Sequence, residues 1–175
     1  MDIQVTAARG ATQGRLRFGG RDYICALGRS GILVPKREGD GGTPAGTFPL
    51  RELRYRADRL AKPQTGLDCV VTKRHDGWCD ASGDPYYNRF VELPYPASAE
   101  TLWREDHLYD LLTVIGYNDN PVAPGAGSAI FFHLAKKKDG ALQSTEGCVA
   151  LDLADMLEVL AQATPATRMT IALEE

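Results

Sequence analysis

The sequence predicts a mainly β domain with two short helices, folded as a β-sandwich or a partly closed barrel. Three observations support this prediction. First, 18 glycines and 10 prolines divide the chain into short segments, as the turns between strands do. Second, most apolar runs are only a few residues long. Third, the clearest helical periodicity is confined to one segment near the C-terminus. At this length we expect a single domain, residues 1–175, with its own core.

The first predicted elements form a hairpin. Residues 14–18 and 22–27 are strand-like runs, and the Gly19-Gly20-Arg21 segment between them suits a tight turn. A second turn leads into another short run, residues 32–34. A polar, glycine-rich loop is then predicted over residues 36–46.

The middle of the chain is predicted to hold less regular structure. Residues 69–71 form a short strand-like run, and residues 73–89 are predicted as a long loop. Residues 98–103 predict the first short helix, because Ser98 is placed to accept hydrogen bonds from the amides of its first turn.

Four elements are predicted in the last third of the chain. The apolar runs 108–117 and 129–134 are expected to be central strands. Residues 152–163 predict the second helix, which Asp152 is placed to cap. Residues 168–173 alternate as a final strand. The apolar face of the second helix is predicted to consist of Leu153, Met156, Leu157 and Leu160.

Composition excludes several classes of function. The 20 basic and 23 acidic residues give a net charge of −3, which offers no footprint for nucleic acid or an anionic membrane. No apolar run reaches the length of about 18 residues that a membrane span needs. The N-terminus lacks the basic and apolar regions of a signal peptide. This leaves open whether the protein stays inside the cell, is exported by another route or has lost a leader.

The four cysteines do not form a pattern of their own. They are too few for a disulfide scaffold, and none lies in a Cys-x-x-Cys pair. The cysteine pattern therefore suggests neither a zinc ribbon nor a thioredoxin-like site; the family resemblance described below implies no metal and no cofactor. Cys79 lies among acidic residues, which raise a thiol pKa and argue against a second nucleophile there.

The chemically informative pair is His133 and Cys148. His133 lies within an apolar run, and Cys148 follows 15 positions later, just before the predicted second helix. A thiol becomes a good nucleophile only when ionised, and its pKa falls beside a protonated histidine or near a helix N-terminus. Gly147 has no side chain, so a substrate carbonyl can approach the sulfur and neighbouring N–H groups can form an oxyanion hole.

This segment resembles the L,D-transpeptidase (YkuD-like) family. That family is marked by a His, an intervening stretch of similar length, then Ser/Thr-His-Gly-Cys, an apolar residue and Asn or Arg. The matching positions here are His133, Thr145, Gly147, Cys148 and Val149. Upstream, residues 43–48 are similar to the family's Thr-Pro-x-Gly-x-Phe segment, which by analogy lies on a strand near the cleft.

Two positions depart from the family pattern. The family's second His is Glu146 here, and its final Asn or Arg is Ala150. Glu146 is expected to take over part of the acid–base work, provided that burial raises its pKa. The alternative is that Glu146 points to solvent.

The resemblance implies a fold of the L,D-transpeptidase type and a specific chemistry. Cys148 attacks a peptide carbonyl of a peptidoglycan stem, with His133 as base. Backbone groups of Gly147, Cys148 and Leu134 complete the site: amides bind the oxyanion, and a carbonyl just after His133 orients its ring. A thioester acyl-enzyme forms, and an amine of a second stem resolves it to a cross-link. The resemblance also implies action in the cell envelope or periplasm, and acylation of the thiol by carbapenems. We expect a monomer.

Five further residues are candidates for substrate binding. Arg89 can pair with a substrate carboxylate, or it can pair with Asp84 or Glu92 in its own loop. His107 can supply an imidazole where Glu146 does not. The full set is Thr145, Arg89, Tyr87, Asn88 and His107.

Three alternative functions stay open from the sequence. An L,D-carboxypeptidase or other thiol hydrolase shares the acyl-enzyme but uses water as acceptor. A catalytically silent peptidoglycan-binding module is suggested by Glu146 and Ala150. A cytosolic thiol acyltransferase with another amide substrate is suggested by the missing signal peptide.

Overall fold

The structure, a computed structural model, describes residues 1–174, and in that range it contains sixteen strands and one helix. The strands of the first half are β1 Ile3–Ala7, β2 Gln13–Phe18, β3 Arg21–Ala26, β4 Ile32–Leu33, β5 Thr43–Pro44, β6 Gly46–Tyr55, β7 Cys69–Val71 and β8 Asp76–Cys79. The remaining elements are β9 Phe90–Glu92, β10 Ala99–Thr101, β11 Leu111–Ile115, β12 Phe131–Leu134, β13 Lys137–Lys138, β14 Ala141–Leu142, β15 Val149–Leu151, α1 Leu153–Gln162 and β16 Arg168–Leu173.

Eight of these strands close into a barrel. Their order is β11-β12-β15-β3-β2-β1-β16-β6, and β6 pairs back onto β11. Strand β7 extends the sheet beyond β6. The prediction of a mainly β fold is confirmed, and the barrel is closed rather than partly closed. Closure leaves these eight strands without a free edge.

The barrel interior forms the main core. Alternate residues of each strand point inward, as Ile3 and Val5 do from β1 and Leu16 and Phe18 do from β2, and all four are buried. Burial of one such side chain contributes about 1.5–3 kcal/mol. Helix α1 packs its buried face onto the same cluster.

A second, smaller core lies on the outer face of the barrel. Because side chains alternate along β12, Phe132 and Leu134 point into the barrel while Phe131 points out. A three-stranded sheet, β10-β8-β9, covers this outer face and packs Trp78 edge-on against Phe131, with ring centroids 5.4 Å apart. Leu102 also belongs to this second core. His133, two residues after Phe131, therefore faces the covering sheet rather than the barrel interior.

Several sequence predictions are confirmed. The hairpin of β2 and β3 turns at Gly19 and Gly20, whose φ angles of 58° and 78° suit a two-residue turn that glycine adopts without strain. The predicted strands at 69–71, 129–134 and 168–173 correspond to β7, β12 and β16.

The predicted helix at 98–103 is wrong. Residues Ala99–Thr101 form strand β10, which pairs antiparallel with β8, and β8 itself lies within the region predicted as loop, 73–89. Pairing between segments 20 residues apart, such as Ala99 with Cys79, outweighs the local capping signal of Ser98. Only one helix is therefore found in residues 1–174.

The second predicted helix is present, but its cap and its apolar face differ from the prediction. Asp152 occupies the N-cap position without a side-chain capping bond, because its carboxylate pairs with Lys137 instead. Leu153 and Leu157 are 41% and 39% exposed. The buried residues of α1 are Met156, Val159 and Leu160.

Several strands were not predicted, among them β1 and most of β6 in the barrel. Strand β1 pairs parallel with β16, and β6 is the longest strand of the barrel. Both depend on partners far away in the sequence. Within residues 1–174, no helix is long and apolar enough to cross a membrane.

Candidate active site

Cys148 lies immediately before β15, at the boundary of the second core. Its Sγ accepts a hydrogen bond of 3.3 Å from the backbone N–H of Phe131 and donates one of 3.4 Å to the carbonyl of Ala129. The residue is 7% exposed. The thiol is thus held on both sides by backbone groups of the adjacent segment.

The pKa of Cys148 differs from the sequence expectation. Burial, and secondarily the charge of Glu100, raise the pKa of the thiol to about 12. Strand β15 and Asp152 separate Cys148 from the first residue of α1, and a helix dipole acts only near its first turn. Cys148 is therefore a neutral thiol in the free protein.

His133 is fixed by its own neighbourhood in β12. Its Nδ1 lies 2.8 Å from the carbonyl oxygen of Leu134, and because a carbonyl only accepts, Nδ1 carries the hydrogen. Nε2 is then left as a hydrogen-bond acceptor. Burial lowers the pKa of His133 to about 4, so the imidazole is neutral at pH 7. The ring of Tyr109 packs edge-on against it, with centroids 5.1 Å apart.

The register of the sheet brings Cys148 and His133 to one side of the barrel wall. Strands β12 and β15 run parallel with Phe132 opposite Val149, which sets Cys148 beside Phe131. His133 is two residues further along and shares that face. Both line one cavity of about 330 Å³. The cavity therefore holds a neutral thiol and a neutral imidazole, and His133 is the candidate to take the thiol proton.

The cavity wall carries charges of both signs. A wall with charges of both signs suits a ligand that itself bears carboxylate and ammonium groups. The charged residues lining the cavity are Lys36, Glu38, Asp80, Glu100, Arg104, Lys136 and Glu146.

The loop before Cys148 is held by Thr145 and Gly147. The Thr145 hydroxyl donates to the carbonyl of Cys148 at 2.7 Å and accepts from the N–H of Gly147 at 3.2 Å. Gly147 has φ +136°, and a Cβ there would lie 2.7 Å from the carbonyl oxygen of Gly42. Gly42 directly precedes residues 43–48, so this segment lies beside the cysteine loop. Thr145 lines the cavity, but its hydroxyl is engaged in holding the loop.

Glu146 does not meet the condition set for an acid–base role. Its side chain is 80% exposed, and its Oε2 lies 2.8 Å from Nε of Arg29. It lines the mouth of the cavity but is not buried. A half-buried carboxylate of the cavity is Glu100 instead, on strand β10.

Tyr87 and Asn88 lie outside the cavity lining. The Tyr87 hydroxyl bonds to Glu38 and accepts from the N–H of Gly127 at 3.0 Å. Asn88 Oδ1 accepts from the indole of Trp78 at 2.9 Å. Both side chains are buried and engaged within the protein, so the structure does not place them where the sequence reasoning expected a substrate.

Arg89 and His107 also lie away from the nucleophile. Arg89 lines a separate cavity and, within residues 1–174, forms an ion pair with neither Asp84 nor Glu92. His107 has a side chain that is 80% exposed, with Nδ1 2.7 Å from Asp110. Neither residue lines the cavity of Cys148.

Cavity residues that were not predicted from the sequence include Glu100, Tyr109, Asp80 and Lys36. Glu100 was hidden by the wrong helix prediction, since a strand would have placed it on a face beside Trp78.

Cys79 is buried, and burial, followed by the charges of Asp84 and Asp80, raises its thiol pKa. No group of metal-binding side chains occurs in the described part of the chain.

Comparison with known proteins gives one match. The family model of the L,D-transpeptidase catalytic domain (YkuD) matches residues 9–171. No curated protein and no solved structure matches the chain.

Proposed function

Because the chain belongs to the L,D-transpeptidase catalytic domain family, we propose that it is a peptidoglycan L,D-transpeptidase with Cys148 as nucleophile and His133 as base. The observation that carries this proposal is the shared cavity, in which the thiol and an imidazole with an available Nε2 lie on one face. That both matched family positions line this cavity supports the proposal.

The geometry supports a general-base mechanism. A stem-peptide carbonyl enters beside Cys148, His133 Nε2 takes the thiol proton, and the sulfur attacks the carbonyl carbon. The N–H of Phe131, which points at Sγ, stabilises the thiolate as it forms. Backbone amides around Gly147 and Cys148 receive the oxyanion. The imidazolium then protonates the leaving amine, and a thioester remains.

The second half of the reaction needs an acceptor. An amine of a second stem attacks the thioester and forms a cross-link, whereas attack by water gives a carboxypeptidase. The proposed setting is the cell envelope, with a monomer acting on stem peptides, and carbapenems are expected to acylate the same thiol.

The experiment is mass spectrometry of purified muropeptides incubated with the protein and with a Cys148→Ala control. New cross-linked dimers that vanish in the control support the transpeptidase. Shortened stems without dimers would replace it with the carboxypeptidase. Unchanged muropeptides, together with failure of a carbapenem to add its mass to the protein, would favour a catalytically silent binding module.

A further inference from the structure

We infer that Glu100 is a further catalytic residue, the carboxylate that binds the acceptor amine and takes its proton before the amine attacks the thioester. This inference rests on the transpeptidase function proposed above. It assigns a role to a residue outside the matched histidine and cysteine motif.

The position of Glu100 comes from the small covering sheet. Glu100 lies on β10 directly opposite Trp78 of β8, and residues opposite one another share a face of the sheet. Trp78 packs against Phe131 beside the nucleophile, so this face is turned towards the site. The Glu100 side chain lines the cavity of Cys148 and is 28% exposed, which leaves it within reach of a ligand.

The carboxylate is held by the same residue that packs on the base. The Tyr109 hydroxyl donates a hydrogen bond to Oε1 of Glu100, and the Tyr109 ring contacts His133 edge-on. Arg104 lies 4.0 Å from Glu100, but its guanidinium is already bonded to Asp106. Glu100 therefore lines the same cavity as both catalytic groups, and its Oε2 makes no hydrogen bond among the described residues, which leaves it free for a ligand.

The charge of Glu100 is unfavourable for the free nucleophile. It contributes to the raised pKa of Cys148, and burial raises the pKa of Glu100 itself. The charged or titratable groups that act on Glu100 are Tyr109, Arg104 and Asp80, in addition to Cys148. The presence in the cavity of a carboxylate that opposes thiolate formation is explained if a cationic substrate group enters and offsets the charge of that carboxylate.

Asp80 supplies an independent indication of a cationic ligand. It lines the same cavity, and its Oδ1 is buried without a hydrogen-bond partner among the described residues. Asp80 follows β8 by one residue and shares the face of Trp78 and Glu100. Buried polar atoms are nearly always hydrogen-bonded. An ammonium group that binds between Asp80 and Glu100 can donate three hydrogen bonds, one of them to the unpaired Oδ1.

Glu146, at the family's second histidine position, is turned outward and paired with Arg29. Glu146 is thus unavailable inside the cavity, and Glu100, which lines it, is the carboxylate to which we assign acid–base assistance to the acceptor. The ammonium gives one proton to Glu100, and the freed nitrogen attacks the thioester carbon. His133 takes a second proton from that nitrogen as the C–S bond breaks and its electron pair returns to sulfur. His133 then protonates the thiolate, and Glu100 releases its proton to water.

The test separates acylation from transfer. The Glu100→Gln protein is incubated with purified muropeptides and a free D-amino acid as acceptor, with Glu92→Gln as control. Glu92 is an exposed residue of β9, the other edge strand of the same sheet. Acyl-enzyme formation is followed by intact-protein mass spectrometry, and the transferred and hydrolysed stems are quantified by liquid chromatography.

We expect Glu100→Gln to form acyl-enzyme at least as fast as wild type and to lose about 100-fold or more in transfer relative to hydrolysis. The defect should shrink as the pH approaches the pKa of the acceptor amine, because the amine then arrives deprotonated. A purely structural role would not produce that pH dependence. If the transfer-to-hydrolysis ratio of Glu100→Gln equals that of Glu92→Gln at every pH, the role of Glu100 is overturned, but the proposed transpeptidase function is not. A wild-type protein that never forms an acyl-enzyme would overturn the proposed function and, with it, this role.

Discussion

The side-chain oxygen of Asn88 accepts a hydrogen bond of 3.0 Å from the N–H of Ala129. The carbonyl of Ala129 in turn accepts a hydrogen bond from the thiol of Cys148. Asn88 also accepts from Trp78 and donates to the carbonyls of Tyr117 and Asn118. It is buried in a left-handed conformation with φ 56°, which asparagine tolerates better than most residues. Asn88 thus joins the small sheet to the segment that holds the nucleophile.

Replacing Asn88 with alanine is expected to lower the free energy of unfolding by about 3 kcal/mol or more. The change leaves several buried donors and acceptors unpaired, each at a cost of about 1–3 kcal/mol. Urea unfolding measures the effect. Gln64→Ala, at an exposed position, is the control and should stay within about 0.5 kcal/mol of wild type. A similarly small change for Asn88→Ala would contradict the linking role.

Elements set by local chemistry were predictable from the sequence. The turn at Gly19 and Gly20 specifies the first hairpin, and the alternation of residues 168–173 specifies β16. Strands β1, β8 and β10 were missed because each is short and is stabilised by partners distant in sequence. At residues 98–103 the local capping signal pointed to a helix, and the pairing with β8 overrides it.

The residues of the candidate site that belong to a sequence motif were predictable. His133 and Cys148 line one cavity, as their spacing and the family pattern suggested. The electrostatics were not predictable, because the pKa of the thiol depends on burial by the covering sheet. Glu100 could not be placed in the cavity from the sequence either, because its position there depends on β10 being a strand paired with β8.

Replacing Thr145 with alanine is expected to slow acylation by about tenfold or more. The Thr145 hydroxyl bonds to both Gly147 and Cys148, and its loss frees the loop that aims the sulfur. Thr145→Ser keeps the hydroxyl and should retain most of the wild-type rate. The rate of carbapenem addition, followed by intact-protein mass spectrometry, measures both variants. Equal rates in the two would contradict an anchoring role for the hydroxyl.

Alkylation of Cys148 by iodoacetamide in the free protein is expected to rise about tenfold per pH unit from pH 7 to pH 10. The thiolate is the reactive form, and burial raises the pKa of Cys148 to about 12. Site-resolved peptide mass spectrometry gives the rate for Cys148, with the partly exposed Cys69 in the same digest as a reference for the reagent. A plateau of the Cys148 rate below pH 8 would instead indicate a preformed thiolate–imidazolium pair.

His133 is expected to make the protein less stable as the pH falls from 7 to 4. Burial lowers its pKa from 6.5 to about 4, so the unfolded chain binds a proton in this range that the folded protein does not. The stabilising contribution is therefore complete above pH 6.5 and is lost as the pH falls towards 4. The shift corresponds to about 3 kcal/mol. Urea unfolding of wild type and His133→Gln at both pH values measures the effect. Titration of the carboxylates largely cancels in the difference between the two proteins, and parallel pH profiles would show that the imidazole is not held neutral by burial.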